Sequence, residues 1–244
     1  MKKLIFLIGF SLFTSVASAQ VGMMPPSQAE IDRADLNFAE NFRLQLKAIH
    51  DIRSLDDLEK NYEGSILLFE DWTPAVVTMK SGREDHLMMN YFIFDNSLIY
   101  LKGKDTVMTF ALTDRIKDIR IGNQMFEPVT FTDSNSATVN TGVFEVLYKG
   151  DPMSIVKKYN SEFKPAQDAS GYKNATRPTV LKKSVLYYQP LNTTMSYPVP
   201  TKKKDFYSIF GDKAKQVEEF AKKNKLRINE NGIIKMAEYY NSLK

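Results

Sequence analysis

The sequence predicts an α+β protein: an antiparallel β-hairpin ladder, a meander either open or curled into a barrel, with a helix before it and a helical cap after it. Two observations carry this prediction. The apolar period changes from 3.6 to 2 after Gly64 and returns to 3.6 near Thr201. Between those points the apolar runs are short and are separated by Gly, Asn, Asp and Ser turns rather than by helical crossovers, so a parallel sheet with a nucleotide-binding switch point is not expected.

The first segment, residues 1–19, reads as a secretory signal peptide. Lys2-Lys3 precede an apolar run from Leu4 to Ala17, and Ala17-Ser18-Ala19 forms an A-x-A cleavage site. The run is shorter than the ~20 residues that span a bilayer, so no transmembrane anchor is expected in the mature chain. Residues 20–63 form the N-terminal helical segment. Ser27 and Glu30 form a capping box, and Ile31, Ala34, Phe38, Phe42, Leu46 and Ile49 make one apolar stripe. Ser54 and Asp57 repeat the capping signal for a short second helix ending near Tyr62 and Gly64.

Residues 64–200 form the β body. Strands are predicted at 65–69, 75–80, 86–94, 98–102, 106–111, 116–121, 125–130, 143–149, 155–160, 180–189 and 196–199. Gly122-Asn123 is a strong hairpin signal because both residues tolerate positive φ. Polar stretches at 133–141 and 164–177 read as surface loops. In the cap, residues 201–244, three short amphipathic pieces carry Phe206, Ile209 and Phe210, then Val217, Phe220 and Ala221, then Ile233, Ala237 and Tyr240. Helices this short are unstable alone in water. They are expected to dock, burying Val217, Phe220, Ile233 and Tyr240 and leaving Lys203, Lys222 and Lys223 solvated.

Composition removes whole chemistries. With no cysteine among 244 residues there is no disulfide, thiolate zinc site, iron–sulfur cluster or Cys nucleophile. His50 and His86 lie apart without the three or four convergent ligands that zinc needs, so no metal is expected. No G-x-S-x-G elbow, phosphate loop or dinucleotide fingerprint is present, and no cofactor is predicted. Glu70-Asp71 and Glu84-Asp85 are adjacent carboxylates, which on a strand point to opposite faces and read as turn charges. The mature chain carries 31 basic and 29 acidic residues, too even a balance for a general nucleic-acid binder. Charge is unevenly placed: residues 20–80 carry 6 basic and 11 acidic side chains, and 201–244 carry 11 basic and 6 acidic. Mutual docking of the two ends accounts for this, and a basic surface for anionic lipid or polysaccharide is the alternative.

Aromatic residues cluster in the predicted strands. Trp72, Tyr187 and Tyr188 are the candidates for partner binding, since an exposed ring can stack on a sugar or anchor a protein, and Tyr187 and Tyr188 must face opposite ways. Core filling is the competing role for all three.

Tyr62-Glu63-Gly64-Ser65, the run Met89 to Asp95, the run Gly142 to Gly150 with Ser154 to Tyr159, and the Lys202–Lys244 ending with Tyr239-Tyr240-Asn241 together resemble the uncharacterised exported proteins abundant in Bacteroidetes. The resemblance implies a hairpin ladder followed by a Lys-rich helical tail, and it brings no catalytic residues. Bacteria of this group O-glycosylate exported proteins at Asp-Ser/Thr-apolar triplets, which makes Thr106 in Asp105-Thr106-Val107 a candidate acceptor. The expectation is a non-enzymatic binding or structural module for a protein or glycan partner, in the periplasm or at the cell surface. A carboxylate-based envelope hydrolase and a barrel holding an apolar ligand or lipid are the alternatives.

Overall fold

The computed structural model describes residues 56–243 except 58–59, 134–137, 165, 168, 170–173 and 192. The expected signal peptide and the helix over Ser27–Ile49 lie outside these residues. Ten strands follow one another: β1 (Thr73–Met79), β2 (Glu84–Phe92), β3 (Ser97–Lys102), β4 (Thr106–Thr109), β5 (Ile116–Ile121), β6 (Gln124–Thr132), β7 (Val139–Tyr148), β8 (Met153–Lys164), β9 (Thr179–Pro190) and β10 (Met195–Pro198). They form one sheet in the order β10-β9-β8-β7-β6-β5-β1-β2-β3-β4.

Strand β6 belongs to two structures at once. Residues Gln124, Met125 and Phe126 pair with β5, whereas Thr130 and Phe131 pair in parallel with Met195 and Ser196 of β10. Strands β6 to β10 therefore close as a five-stranded barrel, and β5, β1, β2, β3 and β4 continue from it as an open sheet. The Gly122-Asn123 turn joins the paired Ile121 and Gln124, with Gly122 at φ 56° where a side chain would be strained.

A barrel of so few strands encloses only enough space for its own side chains. Val129, Phe131, Phe144, Val156 and Tyr187 are buried together in it, with ring centroids 4.9 Å apart for Phe131 and Phe144 and 5.0 Å for Phe144 and Tyr187. These rings occupy the volume that an apolar ligand would need. At one end Tyr187 Oη donates to Asp133 Oδ1 at 3.1 Å, and the Lys158 ammonium lies 3.3 Å from the same carboxylate oxygen and 4.2 Å from the Phe131 ring.

The 65–69 run is not a strand of its own. Leu67 bridges Phe92 and Thr73 pairs with Met89, so residues 67–79 follow β2 as one line interrupted between Leu68 and Trp72. The buried Asn90 side chain fills the interruption. Its Oδ1 accepts from Phe69 N at 3.1 Å and its Nδ2 donates to Phe69 O at 2.9 Å and Asp71 O at 3.3 Å. Backbone groups that leave a ladder inside a protein need such a partner.

A second asparagine ties the open sheet to the barrel. Asn96, at φ 60° in the β2–β3 turn, accepts from Val143 N at 2.9 Å and donates to Tyr159 O at 3.4 Å, beyond the point where β7 and β8 pair. Tyr91 Oη donates to Val143 O at 2.8 Å. Gly142 permits this approach, because a Cβ there would stand 2.4 Å from Asn96 Oδ1.

The cap consists of α1 (Lys203–Ser208), a 3-10 turn (Gly211–Lys213), α2 (Ala214–Lys223) and α3 (Glu230–Ser242). Asn229 caps α3, its side chain accepting from Gly232 N at 3.0 Å. Phe206, Phe210, Val217, Ala221, Ile233, Met236 and Ala237 are buried with Met153 and Ile155 of β8, so the cap docks on the outer face of the barrel. Asn241 completes the attachment as a strand residue would, accepting from Met153 N at 3.0 Å and donating to Met153 O at 2.8 Å. The expected core positions shift: Val217 and Ile233 are buried, but Phe220 and Tyr240 are half-buried. Phe220 stacks flat on Tyr239 at 4.0 Å, leaving Phe206 and Phe210 as the central rings.

Candidate functional site

A groove of about 580 Å³ lies in the open sheet, bounded by β1, β2, β3, the end of β4, the start of β5 and the connection between β4 and β5. Such a volume suits a small molecule or one segment of a polymer, on the usual scale of ~300–1,000 Å³. The strand register explains its floor. Val77 pairs with Asp85, Ala75 with Leu87 and Met89 with Tyr100, so Val77, Asp85, Leu87 and Tyr100 share one face of the sheet. Phe110, following β4, closes over that face with its ring edge-on to Tyr100, 6.1 Å between centroids. Met79 and Ile116, themselves a register pair, complete the apolar floor.

The rim is polar. Asp85, Thr109 and Thr113 border the opening, and the backbone of β2 at Glu84 and His86 runs along it. Asp85 Oδ2 accepts from Arg83 Nη2 at 2.9 Å, which fixes that carboxylate in place while both groups remain exposed. Glu84 and His86 are exposed and lie on the opposite side of the strand from Asp85. The adjacent carboxylates therefore leave opposite faces of β2, and only Asp85 lies on the face of the groove floor. Among the described residues no group of three or more His, Asp and Glu side chains is placed to hold a metal ion.

A second polar cluster lies at the seam between barrel, open sheet and cap. On the outer face of β8, Met153 and Ile155 belong to the core under the cap, and Tyr159 and Phe163 pack against the core of the open sheet. Lys157 stands between them, 9% exposed, with its ammonium 2.7 Å from Glu145 Oε2 and 3.2 Å from Glu230 Oε2 of α3. Glu145 also accepts from Tyr159 Oη at 2.6 Å and from Gln124 Nε2 at 2.7 Å, so both carboxylate oxygens are engaged. Burial alone would pull the Lys157 ammonium down, but the bound Glu145 carboxylate and Tyr159 hold it above the ordinary lysine value. Burial, then the Glu145 carboxylate, pushes the Tyr159 hydroxyl up to about 12. A lysine held charged and a carboxylate with no free oxygen are poor catalysts and good clamps, so this cluster is structural.

The aromatic candidates fall in three different settings. Trp72 is half-buried against the core of the open sheet, at the end of β1 away from the groove. Tyr187 is 3% exposed inside the barrel, which removes it as a surface for a partner. Tyr188 is the outward one of the pair, half-buried beside the cap, with its ring 5.8 Å from that of the exposed Tyr197. Thr106 is the first residue of β4 and partly exposed. None of these four lines the groove. Tyr100 and Phe110, which do, carry no sequence signal that separates them from other strand aromatics. No protein-family model, curated protein or solved structure matches the chain, and none of the described helices is long and apolar enough to cross a membrane.

Proposed function

We propose that the chain is an exported cell-envelope protein, similar to the hairpin-rich exported proteins of Bacteroidetes, that acts without catalysis by holding a partner in the open-sheet groove. A glycan is the partner that the lining favours. The observation that carries this reading is the apolar floor with the Tyr100 and Phe110 rings beside the Asp85 carboxylate and the Thr109 and Thr113 hydroxyls. Ring faces accept the C–H side of a sugar, and the rim groups accept or donate to its hydroxyls. Export is supported by Lys2-Lys3, the apolar run to Ala17 and the A-x-A site.

A glycan array probed with the full chain tests the proposal. The expected result is binding to an envelope polysaccharide that falls at least tenfold in Asp85→Ala and Tyr100→Leu, with urea unfolding of both variants close to that of the parent. Binding that ignores both changes, or no glycan binding at all, refutes it. The Asp85 carboxylate beside the floor favours, as a second reading, a carboxylate-based hydrolase. Turnover of the bound glycan that is lost in Asp85→Asn would replace the first reading with this one.

A further inference from the structure

The cap carries the whole positive charge of the molecule. Residues 201–244 hold 11 basic and 6 acidic side chains, net +5, against +4 for the full chain, so the remaining residues sum to −1. Two lysines from separate exposed runs, Lys203 and Lys222, come together on its surface. Lys203 of α1 and Lys222 of α2 both approach one carboxylate oxygen of Glu218, at 3.6 Å and 3.1 Å. Lys202 and Lys204 flank the first, Lys223 and Lys225 the second, and all six are exposed. The packing dictates this orientation. Phe206, Val217 and Ala221 turn the inner sides of α1 and α2 toward β8, which leaves the lysine sides outward. Glu218 is shared by two ammonium groups and answers only one of them; its carboxyl is held below the usual range, first by its hydrogen bond from Lys222.

We propose that this lysine face of the cap rests on an anionic lipid bilayer. Charge complementarity selects the occupant: flexible lysines on an outward helical face act as diffuse point charges that attract a charged surface without reading a shape. No apolar insertion is involved, because the apolar sides of α1 and α2 are already buried. The attraction acts within a Debye length, about 8 Å at physiological salt, and is screened by added salt.

Flotation of the full chain with vesicles of phosphatidylcholine mixed with phosphatidylglycerol tests this, with pure phosphatidylcholine vesicles as reference. The apolar N-terminal run is common to every sample, so the readout is the difference between the two lipids and between variants. Binding to the anionic vesicles is expected to exceed binding to neutral ones at least tenfold and to vanish in high salt. The triple change Lys203→Gln, Lys222→Gln, Lys223→Gln should remove that excess. The matched control Lys80→Gln, Lys102→Gln, Lys104→Gln, which takes the same charge from exposed positions of the open sheet, should keep it within about twofold. Equal losses in the two triples would show a net-charge effect and overturn the proposal. So would equal binding to both lipids, or capture by a soluble polyanion such as dextran sulfate without vesicle binding.

Discussion

Replacing Lys157 by Met should destabilise the protein far more than removing its partner Glu230. Lys157 and Glu145 are 9% and 8% exposed, and their charged atoms lie 2.7 Å apart. Taking away the lysine leaves a buried carboxylate with only Gln124 and Tyr159 as partners. Breaking a buried pair from one side costs about 3–5 kcal/mol; the two surviving donors place Lys157→Met at the lower end, about 3 kcal/mol. Glu230, with its side chain 44% exposed and 3.2 Å from the ammonium, can return to water, so Glu230→Gln should cost less than about 1 kcal/mol. Urea unfolding followed by the fluorescence of the single tryptophan, Trp72, which packs against the open-sheet core, measures both. If Glu230→Gln cost as much as Lys157→Met, the stabilising contact would be the one to the cap, and the buried pair would not be the clamp described above.

Two further outcomes follow from the packing and the shifted groups. Phe210→Ala, which empties a fully buried ring site in the cap, should cost about 3–5 kcal/mol, whereas Phe220→Ala, which loses one face of a half-exposed stack, should cost clearly less in the same assay. Stability should hold from neutral pH to about 10 and fall as pH rises further. Lys157, Tyr91, Tyr159 and Tyr187 all bind their protons more tightly folded than unfolded, so their contribution is complete below the unfolded values and is lost as pH climbs through the folded ones. A urea midpoint that is unchanged between pH 9 and about 11.5 would contradict this sign.

The strands were legible because period-two alternation and turn residues are local properties, and the Gly122-Asn123 hairpin lies where local chemistry demands it. What escaped was set by distance along the chain. Barrel closure depends on Thr130 and Phe131 meeting Met195 and Ser196, a pairing more than sixty residues apart with no signature in either segment. The 65–69 run reads as a separate strand because the device that joins it to β1, the Asn90 amide, looks in sequence like any polar residue in a strand. Phe220 and Phe210 are equally apolar, and only the docking of α3 decides which is central. The groove was hidden for the same reason: its lining comes from five strands and a connection, and Asp85 meets Tyr100 and Phe110 only when β2 lies between β1 and β3.

Photo-crosslinking tests the groove as the binding site most directly. A benzophenone amino acid replaces the exposed Thr113 at the rim in one sample and the exposed Tyr197 on the barrel exterior in another. Each is irradiated with the envelope polysaccharide that the array identifies. A covalent glycan adduct from position 113, competed away by excess unlabelled polysaccharide and missing from position 197, is the predicted result. Equal adducts at both positions, or an adduct at 197 alone, would contradict it.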